Sequence, residues 1–243
     1  MFYELGRYLI FIRSMFFKPE RFQVFLSRTI HEMNNIGVGS LPIVAIISIF
    51  VGAVTTVQTA YQLVSPLIPL SVIGEIVSDS SMLELAPTIT CLVLAGKVGA
   101  NIASEVGNMR ITEQIDAYEV MGINSSGFLG LPKIIAGLIM IPSLIIIANS
   151  LLIGGGIIAA KLTGIMSPSE FVQGARSTFK FFTLSVSLVK SFVFAFIITS
   201  VSTYEGYFTN GGALEVGESG TRAVTRSCVL ILFFDFIIAK LML

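Results

Sequence analysis

Long apolar runs, interrupted at a few places, set the pattern of this chain. No Asp, Glu, Lys or Arg falls between Glu32 and Glu75, and none between Lys133 and Lys161. Runs of about 20 apolar residues read as membrane-spanning helices, whereas outer-membrane strands alternate over roughly 10. The pattern predicts five spans, over residues 41–63, 80–103, 134–160, 181–203 and 223–243. Pro66 and Pro69 are expected to end the first helix. Residues 1–32 follow another rule. Phe2, Leu5, Leu9, Ile12 and Phe16 recur at helical spacing, while Arg7, Arg13, Lys18, Arg21 and Arg28 supply cations. Such a helix lies in the headgroup plane with its apolar side down, its cations suiting anionic lipid. The alternative is a soluble helix packed on a partner. The expected fold class is all-α integral membrane: one domain over residues 1–243, with five transmembrane helices preceded by an interfacial amphipathic helix.

Composition strengthens the membrane reading. The chain is 54% hydrophobic and 12% charged, with a mean hydropathy of +0.88. A soluble domain carries about 25% charged residues, so too little polar surface is present to cover a globule in water. The net charge is zero, which gives no field for nucleic acid. Glu4, Arg7 and Arg13 interrupt the apolar residues that a cleaved signal would need. Cys91 and Cys228 sit in apolar segments and read as small buried hydrophobes. Orientation follows from Lys and Arg. With the N-terminus inside, the inner segments hold Arg7, Arg13, Lys18, Arg21, Arg28, Arg110, Lys133, Arg222 and Arg226, against Lys161, Arg176, Lys180 and Lys240 outside. The N-terminus is therefore expected in the cytoplasm and the C-terminus on the opposite side.

Between the second and third predicted spans stands a polar segment, "SEVGNMRITEQIDAYEVMG". Glu105, Arg110, Glu113, Asp116 and Glu119 fall within it. On one helix over residues 105–121, Ile111, Ile115, Tyr118 and Met121 would share a side, and Arg110 would pair with Glu113 one turn on. A mere connector has no need of an apolar stripe; a helix that docks into another protein needs both faces. The chain contains no G-x-x-x-x-G-K-[ST], so it has no phosphate loop of that kind, and ATP-driven work would come from a partner.

The same segment resembles the signature of the MlaE-type permease family, the membrane subunits of lipid-transport ABC systems that work with MCE proteins. The family pattern runs approximately E-[apolar]-G-x-M-[RK]-x-T-E-Q-[apolar]-[DS]. Glu105, Gly107, Met109, Arg110, Thr112, Glu113, Gln114, Ile115 and Asp116 match it in place. The likeness continues in "NIGVGSLPIV" and "FVGAVTTVQ", in "LAPTITCLVLAGKVGANIASE", and in "GGALEVGESGTRAVTRS". Relatives often carry two adjacent threonines where this chain has Gly220 and Thr221. The resemblance implies a coupling helix at 105–121, with Glu105, Gly107, Met109, Arg110, Glu113, Gln114 and Asp116 meeting a cytoplasmic ABC ATPase. It further implies a homodimer, an MCE-domain protein on the outer side, a small cytoplasmic accessory subunit and a phospholipid or similar cargo. ATP and Mg would be bound by the ATPase, with no cofactor in this chain. The host membrane would be a bacterial inner membrane or a plastid envelope.

Four ionisable residues interrupt the predicted spans: Glu84, Lys97, Lys190 and Asp235. Each costs about 2.5–3.5 kcal/mol at a helix centre, so four unpaired would cost roughly 10–14. Lys190 and Asp235 lie at matching depth and are candidates for an ion pair. Lys97, in "AGKVGA", and Glu84 are candidates for a lipid cavity; relatives tend to have a basic residue at the place of Lys97. The alternative for Lys97 is a stem that snorkels to the interface. His31 has no nucleophile near it in sequence, and no Cys/His cluster has metal-ligand spacing, so no catalytic or metal site is expected. Gly154 to Gly156 suggest close helix contact or a bendable point. The stretch "EGYFTNGGALEVGESG" reads as a deformable loop, and "SPSE", Ser167 to Glu170, as the capping box of a short helix. Two rivals stay open: an ion-coupled carrier using the intramembrane charges, and a membrane anchor that recruits other proteins.

Overall fold

The computed structural model describes residues 2–16, 22–63, 69–177 and 179–242, without the side chain of Phe2. Lys18, Arg21, Pro66 and the two end residues of the predicted ranges lie outside them. Among the described residues every regular element is helical: α1 (Phe2–Met15), α2 (Phe22–Ile36), a short 3-10 turn (Val38–Ser40), α3 (Leu41–Gln62), α4 (Ser71–Ile111), α5 (Gln114–Val120), α6 (Ser125–Thr163), α7 (Pro168–Ser177), α8 (Phe181–Tyr207) and α9 (Ala213–Met242). Among the described residues, four stretches are long and apolar enough to cross a membrane: Phe22–Gln62, Ser71–Ile111, Ser125–Thr163 and Phe181–Tyr207. The last helix, α9, is 30 residues long but carries Arg222, Arg226, Asp235 and Lys240. The chain is thus a multi-pass membrane protein.

Two compact units divide the chain. One gathers Met1–Ser40, Cys91–Ile141 and Phe192–Phe234; the other gathers Leu41–Thr90, Pro142–Ser191 and Asp235–Leu243. In the first, Phe11, Met15, Ile134 and Tyr204 form a buried cluster with Tyr8, Leu131, Leu138, Tyr207 and Phe208 packed around it. Its rings meet edge-on, Phe11 and Tyr204 at 5.7 Å, and the Arg7 guanidinium lies 3.8 Å from the Phe208 ring centre. Helix α1 therefore docks through Tyr8, Phe11 and Met15, at spacings of three and four. The apolar stripe expected from the sequence lies one face over: Leu5, Leu9 and Phe16 are exposed, the face that suits an interfacial helix.

In the second unit, Ile73, Val77, Ala160, Met166 and Phe171 form the core. Helices α3 and α6 approach through glycine. A Cβ on Gly52 would strike the Leu152 backbone, and one on Gly155 the Ile49 backbone. Small residues at such a crossing let backbones pack without bulky side chains between them. Helix α6 runs unbroken through Gly154 to Gly156; Gly155 and Gly156 face close neighbours, and Gly154 faces open space. At α7 the capping box closes both ways: the Ser167 N–H donates to Glu170 Oε2 at 2.9 Å, and the Glu170 N–H donates to Ser167 Oγ at 3.3 Å. The Ser167 N–H and the Ser167 hydroxyl both donate to the Glu170 carboxylate and hold it below its ordinary pKa, the backbone N–H contributing most.

The helices are longer than the spans expected from apolar runs. Helix α4 extends from Ser71 to Ile111, α6 starts at Ser125, and α9 starts at Ala213. Their polar end turns find partners within the protein, which a count of apolar residues does not register. The expected glycine-rich loop shrinks accordingly, since Gly217 and Gly220 lie inside α9. The Gly212 N–H donates to Glu215 Oε2 at 2.8 Å at the start of that helix.

Candidate functional site

The polar segment is not one helix. Helix α4 ends at Ile111, Glu113 takes a left-handed conformation with φ 59°, and α5 begins at Gln114. A non-glycine residue at positive φ is uncommon and concentrates at functional sites. The turn re-aims the chain. Arg110 pairs with Asp116, Nη1 to Oδ1 at 2.7 Å, and not with Glu113. Residues six apart on an unbroken helix point to different faces, so this pair exists because the helix breaks. Gln114 Nε2 donates to Thr112 Oγ1 at 2.9 Å, and Thr112 Oγ1 donates to the Asn108 carbonyl at 2.8 Å.

Beneath this exposed turn lies a fixed base. Ile115 is fully buried. Tyr118 meets Phe128 edge-on at 4.9 Å, and the Arg28 guanidinium lies 3.4 Å from the Phe128 ring centre. Glu119 Oε1 accepts from Ser125 Oγ at 2.9 Å and from the Tyr207 hydroxyl at 3.0 Å. Asn124 Nδ2 donates to the Ser14 carbonyl at 2.7 Å, which ties α1 to the same base. At the tip Val120 is 89% exposed and Met121 63%, beside the exposed Glu113, Gln114 and Asp116. The sequence reading placed Met121 on the apolar side with Ile115; here Ile115 goes in and Met121 goes out. Of the other residues of the signature, Gly107 lies where a Cβ would be crowded by Thr209, Val216 and Ser219, Met109 is half-buried, and Glu105 points to Lys133.

Buried cations organise each unit. Lys133, 2% exposed, reaches Glu32 Oε1 at 2.6 Å and Glu105 Oε2 at 2.7 Å. Lys190, fully covered, reaches Glu84 Oε1 at 2.7 Å, the Leu83 carbonyl at 2.9 Å and Asp235 Oδ1 at 2.7 Å, the last without hydrogen-bond alignment. Leu83 is the carbonyl that an α-helix would pair with the N–H of residue 87, and Pro87 has none to offer. Sequence reasoning matched Lys190 with Asp235 and set Glu84 apart; the structure brings all three together. Lys133 was counted only as a topology charge, and its burial between two carboxylates was missed. A cation embedded in "GLPKIIAG" was the available signal. A further cluster was missed: the buried Glu205 accepts from Arg226 at 2.5 Å and lies 3.5 Å from Arg222, while Arg226 also reaches Glu4 of α1 at 3.2 Å.

Lys97 stands apart from these clusters. It lies in a π-helical segment, Ala95–Gly99, and donates to the Gly39 carbonyl at the 3-10 turn. It faces a groove of about 620 Å³ that Asn34, Asn35, Val38, Gly39, Asn101, Ser104 and Glu105 complete. Glu84 lies in a second π-helical segment, Ser81–Ile89, in the other unit. A π turn inside an α-helix is rare and frequent at functional sites.

Comparison with known proteins agrees with this architecture. A probable ABC transporter permease protein of Rickettsia bellii is 35% identical over 238 residues, 98% of this chain and 92% of the relative. One of Synechocystis is 35% identical over 216 residues, 88% of this chain and 81% of the relative. The chloroplastic protein TRIGALACTOSYLDIACYLGLYCEROL 1 of Arabidopsis thaliana is 30% identical over 212 residues, 87% of this chain and 60% of the relative. The family model described as Permease MlaE matches residues 29–241, and with that match the chain belongs to the MlaE family of permeases, transport subunits rather than enzymes.

Proposed function

We propose that this chain is the five-span permease subunit of an ABC transporter that moves phospholipids or similar lipids between membranes. A separate cytoplasmic ATPase, binding ATP and Mg, supplies the work. Two copies of the chain enclose the cargo path, an MCE-domain protein meets them on the outer side, and a small accessory subunit attends the ATPase. Helix α9 is the fifth span in this reading, with Asp235 paired to Lys190, and Arg222 and Arg226 paired to Glu205. Of the two cargo candidates on α4, Lys97 keeps that role, while Glu84 braces Lys190.

One observation carries the reading: the left-handed turn at Glu113 presents Glu113, Gln114, Asp116, Val120 and Met121 outward on a base fixed by Ile115, Tyr118 and Glu119. An exposed tip with both ionic and apolar groups, on a base that does not yield, suits a handle by which another protein pulls. Membership in a family of ABC permeases leaves no need for an ion-coupled carrier or a passive anchor.

Charge reversal tests the handle. The double variant Glu113→Lys/Asp116→Lys is expected to fold and insert, to copurify with less ATPase subunit, and to lose lipid movement driven by ATP in reconstituted vesicles. Full copurification together with full transport would remove the assignment.

A further inference from the structure

We propose that the groove bounded by α2, the 3-10 turn and α4 binds a zwitterionic phosphate–ammonium headgroup, with Lys97 taking the phosphate and Glu105 the amine. Three of the described lysines are withdrawn from full exposure: Lys97, Lys133 and Lys190. Two of them are held by a pair of carboxylates each. Lys97 has no carboxylate partner among the described residues; one of its N–H groups goes to the Gly39 carbonyl, and an ammonium has three. Lys97 is half-buried at the groove, so its remaining N–H groups are open to an anion from outside the protein.

The other end of the groove has the opposite excess. Lys133 is a single positive charge between two carboxylates, Glu32 and Glu105, so the cluster keeps one negative charge over. Glu32 is the more covered of the two, and Glu105, 45% exposed, presents that excess to the groove. Lys97 and Glu105 are eight residues apart on α4, about 12 Å along the axis. A phosphate and an amine two carbons apart, each with its own charge-assisted bond of about 2.8 Å, span a similar length. The amides of Asn34, Asn35 and Asn101 and the hydroxyl of Ser104 line the same groove. A groove of about 620 Å³ is within the range of small-molecule sites, about 300–1,000 Å³. The π turn at Ala95–Gly99 is the second mark of a functional position at Lys97.

This inference rests on the proposed transport reading only for lipid as the usual source of the headgroup. The test is native mass spectrometry of the purified full-length chain, loaded in mild detergent with equal amounts of dioleoyl phosphatidylethanolamine and dioleoyl phosphatidylglycerol. The expected result is about tenfold greater retention of the ethanolamine lipid, the scale of one charge-assisted hydrogen bond. Lys97→Gln is expected to reduce retention of both lipids, and Lys97→Arg to restore it. Glu105→Gln is expected to abolish the preference while leaving lipid bound, a result that misfolding does not produce. Free phosphoethanolamine that displaces the ethanolamine lipid assigns recognition to the headgroup alone; failure to displace it assigns recognition to the whole lipid, and the preference supports the site in both cases. Equal retention of the two lipids by the unaltered chain overturns the proposal, as does an unchanged preference in Glu105→Gln. No nucleotide is present, so loss of ATP coupling in the charge-reversed turn leaves this ratio unaltered, and loss of the ratio leaves the coupling result standing.

Discussion

The ammonium of Lys190 lies 2.7 Å from Glu84, 2.7 Å from Asp235 and 2.9 Å from the Leu83 carbonyl, with no part of its side chain exposed. Removing one partner from a buried ionic cluster costs about 3–5 kcal/mol, whereas replacing the whole cluster by apolar or neutral groups of similar size is often close to neutral. Lys190→Met is therefore expected to lower the melting temperature in detergent sharply. The triple variant Lys190→Met/Glu84→Gln/Asp235→Asn is expected to recover most of the loss. A triple variant less stable than the single would refute the view that unpaired carboxylates are the source of the damage. Matching depth in two apolar runs made Lys190 and Asp235 legible as a pair. Nothing local pointed to Glu84 as a partner of Lys190, 106 residues away, or to Glu32 and Glu105 as the partners of Lys133, 101 and 28 residues away. Such partners are adjacent only after helices pack.

The break between α4 and α5 turns a composition into a device. On a continuous helix Arg110 would face Glu113, as the sequence suggested. The left-handed Glu113 instead swings Ile115 inward and carries Asp116 to Arg110. The base of α5 is then fastened to α8 by Tyr207, to α6 by Ser125 and, through Asn124 and Ser14, to α1. A pull on the tip reaches α8 through Glu119 and Tyr207. Tyr207→Phe and Glu119→Gln are each expected to weaken that fastening by about 1 kcal/mol. The variants should bind the ATPase subunit fully and move several-fold less lipid per ATP hydrolysed in reconstituted vesicles. An unchanged ratio of lipid moved to ATP hydrolysed would show that the motion travels by another route. The signature residues were visible in the sequence as a polar island, but its shape was not. One residue at positive φ carries no compositional mark when that residue is glutamate.

At the scale of the whole molecule, the four apolar stretches and the charged α9 set the question of four crossings or five. In a variant with Cys91 and Cys228 replaced by alanine, a cysteine at Val120 is expected to react with a membrane-impermeant maleimide only from the cytoplasmic side. One at Leu241 is expected to react only from the other side. Reaction of both from one side would mean that α9 does not cross. The sequence by itself determined the helical membrane class and the family, because a run of about twenty apolar residues can hide its backbone groups from lipid only as a helix. Where each helix stops was decided by tertiary structure, because polar end turns such as that around Lys133 continue wherever a partner meets them. Tertiary structure alone also decided which charges meet, which face of α1 docks and where the left-handed turn falls. Those depend on contacts between residues far apart in the chain, and packing rather than periodicity selects among them.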